Sequence, residues 1–232
     1  MGLYYFDSTY ILVLIGVVLS LLASARVKST FAKYSRVRSL SGYTGAQAAE
    51  QLLRSSGIND VQIERVAGNL TDHYDPRTKV LRLSDSVYSQ SSIAAIGVAA
   101  HECGHAIQHN HSYVPLAFRS ALVPVANFGA TLSWPLIIIG LFMGSSSVLI
   151  DLGIILFSAS VLFQLVTLPV ELNASRRAIA QLAESGILAG DEIKDTKKVL
   201  GAAALTYVAA AAASILQLLR LLLLFGGGRR RD

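Results

Sequence analysis

The chain has a single cysteine, Cys103, among 232 residues. No disulfide can form within it, which excludes the cross-linked extracellular scaffolds and fits a reducing compartment or a face that needs no covalent staple. Charge is scarce too. Asp, Glu, Lys and Arg make up 15% of the sequence against 53% hydrophobic residues, and the mean hydropathy is +0.51. That is the composition of a membrane protein rather than of a soluble enzyme. The net charge of +5 does not mark a nucleic-acid partner, because the basic residues stand beside apolar runs at 26–38, 176–177, 197–198 and 229–231. There they suit a membrane surface, and no aromatic-and-basic nucleic-acid module accompanies them. Internal repeats are absent, as are low-complexity linkers beyond Gly226-Gly227-Gly228.

What is present is a set of long apolar runs. Tyr4 to Ala25 is long enough to cross a hydrocarbon core of ~30 Å as a helix. Ala23-Ser24-Ala25 also has the small-x-small form of a signal-peptide cleavage site, but the charges have the opposite polarity: Asp7 and no Lys or Arg lie before the run, and Arg26, Lys28, Lys33, Arg36 and Arg38 follow it. The positive-inside rule then places residue 26 in the cytosol. Leu122 to Met143 is a second candidate span, with Pro124 and Pro135 tolerated as they are in membrane helices. After an uncharged turn, Gly144-Ser145-Ser146-Ser147, a third runs from Val148 to Leu168, with Asp151 near its outer end and Pro169 at its inner end. This hairpin returns Glu171 to the side that holds His101. Leu172 to Ser185 reads as an amphipathic helix stopped by Gly186. Asp191 opens a last helix that is apolar from about Leu200 to Phe225. Hydropathy makes this a fourth span, yet Arg220 and Arg229-Arg230-Arg231 would then reach the outer face. The alternative packs its Ala-rich half on the soluble domain and lays its Leu-rich half along the inner surface.

Between the first two spans the composition becomes that of a small soluble domain. Thr44 and Gln47 form a capping box before a helix through Leu52 and Leu53, closed by Gly57. Val61 to Glu64 alternates like a strand, and Leu70 to Tyr74 and Val80 to Leu83 flank the turn-forming Asp75-Pro76-Arg77-Thr78 as a hairpin. Ser91 or Ser92 can cap the helix that follows, and Pro115 is expected to end anything beyond it. The expected class is α+β, mainly helical: a zincin-like cytosolic domain with a small sheet, plus three to four transmembrane helices. The expected parts are an N-terminal span (1–25), the zincin-like domain (26–120), a membrane hairpin (121–169), a third-ligand helix segment (170–200) and an apolar helix with a basic tail (201–232).

The chemistry sits on the helix of that soluble domain, in His101-Glu102-Cys103-Gly104-His105, an H-E-x-x-H pattern. Two imidazoles four residues apart share one helical face, so both reach one tetrahedral Zn2+ ion. Glu102 lies about 100° round the helix, near the ion but not on it, where it can take a proton from water that the metal acidifies to a pKa of ~7. That is peptide-hydrolysis chemistry, although three fixed positions in five also recur by chance. Cys103 reads as a packing residue.

Four residues compete to be the third ligand. His109 continues the i, i+4 series but lies ~12 Å along the axis from His101, and three residues of one straight helix do not converge on one ion. His111 has the metzincin spacing, yet Gln108 replaces the required glycine, and Met143, the only methionine after residue 1, lies in a span instead of a Met-turn. Asp151 would serve a zinc helix inside the bilayer, whereas the apolar run before His101 is only about eight residues. Glu171 opens a helix on the correct side and completes a His, His, Glu set; the helix dipole equally favours an acid there without metal.

The segment Glu171-Leu172-Asn173-Ala174-Ser175-Arg176-Arg177-Ala178 resembles the second signature of the YugP-type membrane zinc metallopeptidases, as Asp72-His73-Tyr74-Asp75-Pro76 and the run Ala99 to His109 resemble other parts of that family. The resemblance covers nearly the whole chain. It implies a zinc peptidase distantly similar to the HtpX-type proteases, with His101, His105 and Glu171 as ligands and Glu102 as base. HtpX-type enzymes carry an acid four residues after the ligand glutamate, where this chain has Ser175. The carboxylate that orients a ligand histidine must come from elsewhere, or Ser175 must replace it more weakly.

The function expected from all this is a multi-pass cell-membrane endopeptidase, working on peptides or membrane proteins at the cytoplasmic face of the bilayer. The strand near Val80 to Leu83 is expected to pair with an extended substrate. For oxyanion stabilisation, Arg176, Arg177, His73 and Tyr207 are candidates, each of which also reads as surface, supporting or packing. The rival is a zinc-tied scaffold or chaperone-like protein, which uses the same three ligands but leaves Glu102 without a role. Transport is disfavoured because no span carries paired charges that would mark a pathway.

Overall fold

The structure, a computed structural model, describes residues 7–144 and 146–226. The chain is mainly helical with one small sheet: α1 (Tyr10–Tyr34), α2 (Gly45–Ser55), β1 (Gln62–Val66), β2 (His73–Asp75), β3 (Val80–Ser84), α3 (Ile93–Asn110), α4 (Val114–Phe142), α5 (Ser147–Glu184) and α6 (Asp191–Phe225). Four of these helices, α1, α4, α5 and α6, are long and apolar enough to cross a membrane. The chain divides into two units. One takes in the described residues up to Ser24, Phe118–Leu168 and those from Thr206 on; the other comprises Ala25–Ala117 and Pro169–Leu205.

In the second unit α2 begins at the expected capping box, with the Gln47 N–H donating to Thr44 Oγ1 (3.2 Å) and the Thr44 N–H donating to Gln47 Oε1 (3.0 Å). It closes before Gly57, whose φ of +72° a side chain would disfavour. The sheet order is β1-β3-β2, with β1 parallel and β2 antiparallel to β3. The hairpin turn forms as expected: the Asp75 carboxylate accepts from the Arg77 N–H (2.9 Å) and the Thr78 hydroxyl (2.8 Å). Leu70 to Asp72, expected in the first hairpin strand, stay outside it. Instead the Asp72 carboxylate accepts from the N–H and hydroxyl of Ser84 (2.7 and 2.9 Å), a side-chain bond in place of a ladder bond. Because β3 is the central strand, both of its edges are already paired. Strand addition at Val80 to Leu83 is therefore corrected: the free edges belong to β1 and β2.

Ser92 caps α3 by accepting from the Ala95 N–H (3.2 Å). The first half of α3 is buried as expected, Ile96, Ala99 and Ala100 packing with Leu52, Leu81 and Leu83 in one core. Cys103 belongs to that core as well, with 1% exposure. Pro115 does not end a helix; it is the second residue of α4, where a missing N–H leaves no bond unmade.

The larger departure is α5. A separate amphipathic helix starting after Pro169 was the expectation, but Ser147–Glu184 is one helix of 38 residues with Pro169 inside it. One lost N–H is a small cost beside the packing of the residues that follow. Val170, Ala174, Ala178 and Leu182, each four apart, form a stripe with at most 1% exposure. At Gly104 the α3 backbone closes on α5: a Cβ there would lie 2.4 Å from the Ala174 carbonyl oxygen. No residue but glycine fits that approach.

In the first unit the hairpin segments of α4 and α5 also meet closely, a Cβ at Gly129 falling 2.4 Å from the Leu156 carbonyl oxygen. The Ser160 hydroxyl donates to the Ala126 carbonyl (3.2 Å) nearby, the small-residue and polar contacts by which apolar helices associate. The end of α6 lies alongside them, Leu221 packing with Ile137, Ile150 and Ile154. Arg220 stacks over the Tyr10 ring at 4.1 Å and sits 3.9 Å from the Asp7 carboxylate. The Leu-rich half of α6 is thus packed among the other apolar helices instead of lying apart from them. Tyr4 to Phe6, Ser145 and the tail from Gly227, which includes Arg229 to Arg231, lie outside the described residues.

Candidate metal centre

Three of the residues singled out in the sequence converge. His101 and His105 project from one face of α3 with their rings 4.8 Å apart, and Glu171 projects from α5 between them. Its Oε2 lies 3.2 Å from His101 Nε2 and 3.6 Å from His105 Nε2. Among the described residues these three form the group whose ligand atoms, all within 4.8 Å of one another, could hold a metal ion. Donors at ~2.05 Å from a tetrahedral zinc stand ~3.3 Å apart, close to the two spacings between Glu171 and the imidazoles. The set is also shielded, with the side chains of His101, His105 and Glu171 15%, 12% and 4% exposed.

Glu171 owes its place to the continuity of α5. It sits inside that helix instead of opening one, so an acid stabilising a free helix N-terminus does not explain it. Its own element presents it at the edge of the buried stripe that begins at Val170, and Gly104 lets that stripe approach α3.

Both histidines have partners on their far nitrogens. His101 Nδ1 meets Ser175 Oγ at 3.1 Å, four residues along α5 from Glu171. His105 Nδ1 meets Gln108 Oε1 at 3.1 Å. In both cases Nε2 is left facing the carboxylate. The second partner went unnoticed in the sequence, where Gln108 registered only as the residue replacing a glycine. Its signal was a polar residue three places after His105 and seven after His101, on the helix face that carries both. Glu102 is on the same helix, buried at 8% exposure, and its carboxylate has no hydrogen-bond partner among the described residues.

Burial presses the His105 imidazole towards its neutral form, but its hydrogen bond to the Glu171 carboxylate and the charges of Glu102 and Glu171 outweigh that and raise its pKa above the ordinary value of 6.5. A divalent cation in place of that proton would satisfy the same carboxylate.

The remaining candidates are elsewhere. His109 is exposed, its Nδ1 2.9 Å from the Tyr74 hydroxyl, and burial with nearby carboxylates pushes that phenol's pKa up to about 12. His111 caps the end of α3, where Arg177 Nη1 approaches its Nδ1 at 3.2 Å. Asp151 belongs to the other unit. None of these joins the cluster.

A family model described as "Putative neutral zinc metallopeptidase" matches residues 9–226. The chain is 52% identical over 191 residues to the "Putative membrane protease YugP" of Bacillus subtilis (strain 168), covering 82% of this chain and 84% of that protein. No solved structure matches it.

Proposed function

This chain belongs to the "Putative neutral zinc metallopeptidase" family, and from that premise we propose that it is a membrane-bound, zinc-dependent endopeptidase with a zincin-like catalytic unit. The observation that carries the reading is the convergence of His101 Nε2, His105 Nε2 and the Glu171 carboxylate, with the buried Glu102 next to His101 on α3. His101, His105 and Glu171 would hold the ion, which when bound would supply Lewis acidity towards the scissile carbonyl and lower the pKa of water at the site. Glu102 takes the proton from that water at a carboxylate oxygen and delivers it to the leaving amine. The apolar wall of α3 and α5 limits bulk water, which strengthens each electrostatic contact inside. An extended substrate segment pairs with the free edge of β2, whose Tyr74 contacts α3 at His109.

The reading extends to topology. Arg26, Lys28, Lys33, Arg36 and Arg38 follow the first span, and the turn at Gly144 is uncharged, so the positive-inside rule puts the catalytic unit in the cytosol of a multi-pass protein. A trans position for the end of α6 conflicts less with that rule than the sequence suggests, since Arg220 is paired with Asp7 and stacked on Tyr10. Peptides or membrane proteins are the substrates this arrangement serves.

The test is Glu102→Gln in the detergent-purified full chain, measured for zinc content and for hydrolysis of a quenched fluorescent peptide library. Zinc should stay and hydrolysis should vanish. A metal-tied scaffold predicts no hydrolysis by the wild type, and a fully active variant would remove Glu102 from the mechanism.

A further inference from the structure

Gln108 is the buried polar residue beside the site that peptide chemistry leaves unused. Its side chain has 0% exposure, so each of its polar atoms must be satisfied within the protein. The amide nitrogen donates to the Val170 carbonyl (2.8 Å) and to Asn173 Oδ1 (3.0 Å), and the amide oxygen faces His105 Nδ1 at 3.1 Å. The orientation is not interchangeable. The Val170 carbonyl can only accept, and Asn173 Oδ1 is held as an acceptor by Arg177 Nε at 2.8 Å, which can only donate. Flipping the Gln108 amide would set its oxygen against two other acceptors.

Because Oε1 can only accept, His105 Nδ1 must carry the hydrogen. The lone pair is then on Nε2, the atom that faces Glu171. We infer that Gln108 is a positioning residue for the metal site: it fixes the tautomer and ring angle of His105 and ties them to the α5 peptide immediately before Glu171. This rests on the reading of His101, His105 and Glu171 as zinc ligands. The bond to Val170 is what makes the device more than a local support, since it sets one ligand's ring by reference to the backbone that presents another. Ser175 does less for His101, because a hydroxyl both donates and accepts and so leaves the tautomer open.

The experiment uses the full chain in detergent and measures zinc affinity by competition with a chelator of known strength. Thermal transitions with and without zinc are recorded alongside. Gln108→Leu should weaken zinc about 10–100-fold, the usual loss when an outer partner of a ligand histidine is removed. It should also shrink the zinc-induced rise in melting temperature by more than it lowers the metal-free value. Gln108→Glu keeps an acceptor towards Nδ1 but sets its second oxygen against the Val170 carbonyl and Asn173 Oδ1, so it should lower the metal-free melting temperature while weakening zinc less than Gln108→Leu does. A Gln108→Leu protein that binds zinc within about threefold of wild type overturns the inference, as does equal loss of melting temperature with and without zinc. Should Gln108→Leu not fold, the wild type decides: 15N-histidine spectra of the zinc-loaded protein must show a protonated Nδ1 on His105, and an Nδ1 bound to metal refutes the proposal. A wild type that takes up no zinc would be a failure of the proposed function itself, distinguishable from either result.

Discussion

Gly104→Ala is the substitution in which fold and site are most tightly joined. The added methyl would sit 2.4 Å from the Ala174 carbonyl oxygen and 3.1 Å from its Cα, about 1 Å inside ordinary contact. Both neighbours are backbone, so no side chain can rotate away and the two helices must separate. Overpacking of this kind costs about 1–3 kcal/mol, offset in part by the ~0.8–1 kcal/mol that alanine gains over glycine in a helix. The metal-free protein should therefore lose only about 0–2 kcal/mol. Zinc binding should suffer far more. Glu171 is three residues from Ala174 on α5, and metal–ligand distances tolerate only about ±0.2 Å. A shift of even half an ångström should weaken zinc by more than the ~10–100-fold typical of losing an outer partner. Zinc competition on the full chain reads this out, with Gly201→Ala as the control. Gly201 also lies in a helix but has nothing within 4 Å of its missing Cβ, so alanine there should stabilise slightly and leave zinc unchanged. If Gly104→Ala binds zinc within about threefold of wild type, the closeness of α3 and α5 is not what places Glu171.

Metal stoichiometry on two further variants separates the competing third ligands: Glu171→Ala should lose zinc and His111→Ala should keep one ion per chain, and the opposite pattern would dissolve the proposed site. The pH dependence should differ in sign between the metal-free and zinc-loaded proteins. A His105 pKa raised above 6.5 in the folded state contributes stability that is complete below that value and is lost as pH rises through the folded pKa. Zinc needs the neutral imidazoles, so its stabilisation grows as pH rises. The gap between the two melting temperatures should accordingly widen from about pH 6 to pH 8, and a gap that stays flat across that range contradicts the coupling.

Much of this was legible because the signals were local. The capping box at Thr44, the Asp75 turn and the Ser92 cap are each decided within four residues, and all three form. The two histidines share a face because the helical period puts them there. What escaped was set by contacts distant in sequence. Pro169 marks a helix boundary to any local reading, but the buried stripe from Val170 to Leu182 overrides it, and that stripe depends on a glycine some 70 residues earlier. Val80 to Leu83 looked available to a substrate because a lone hairpin has two outer edges. The parallel partner β1 that covers one of them precedes the hairpin in the chain, and nothing in the strand itself announces the pairing.

Gln108 belongs to the same class, and the choice of a neutral amide has a physical logic. Two carboxylates, Glu102 and Glu171, are already nearly excluded from water at 8% and 3% exposure. With a divalent ion bound as proposed, two carboxylates would balance its charge. A third carboxylate on either far imidazole nitrogen would strengthen its histidine as a ligand but would add an uncompensated buried charge, which is costly in a low-dielectric interior. Here the partners are Gln108 and Ser175, each uncharged. The site thus gives up some ligand basicity and retains its charge balance. With an acid absent at Ser175, the amide at Gln108 becomes the firmer of the two constraints on ring orientation, since it alone can only accept at His105.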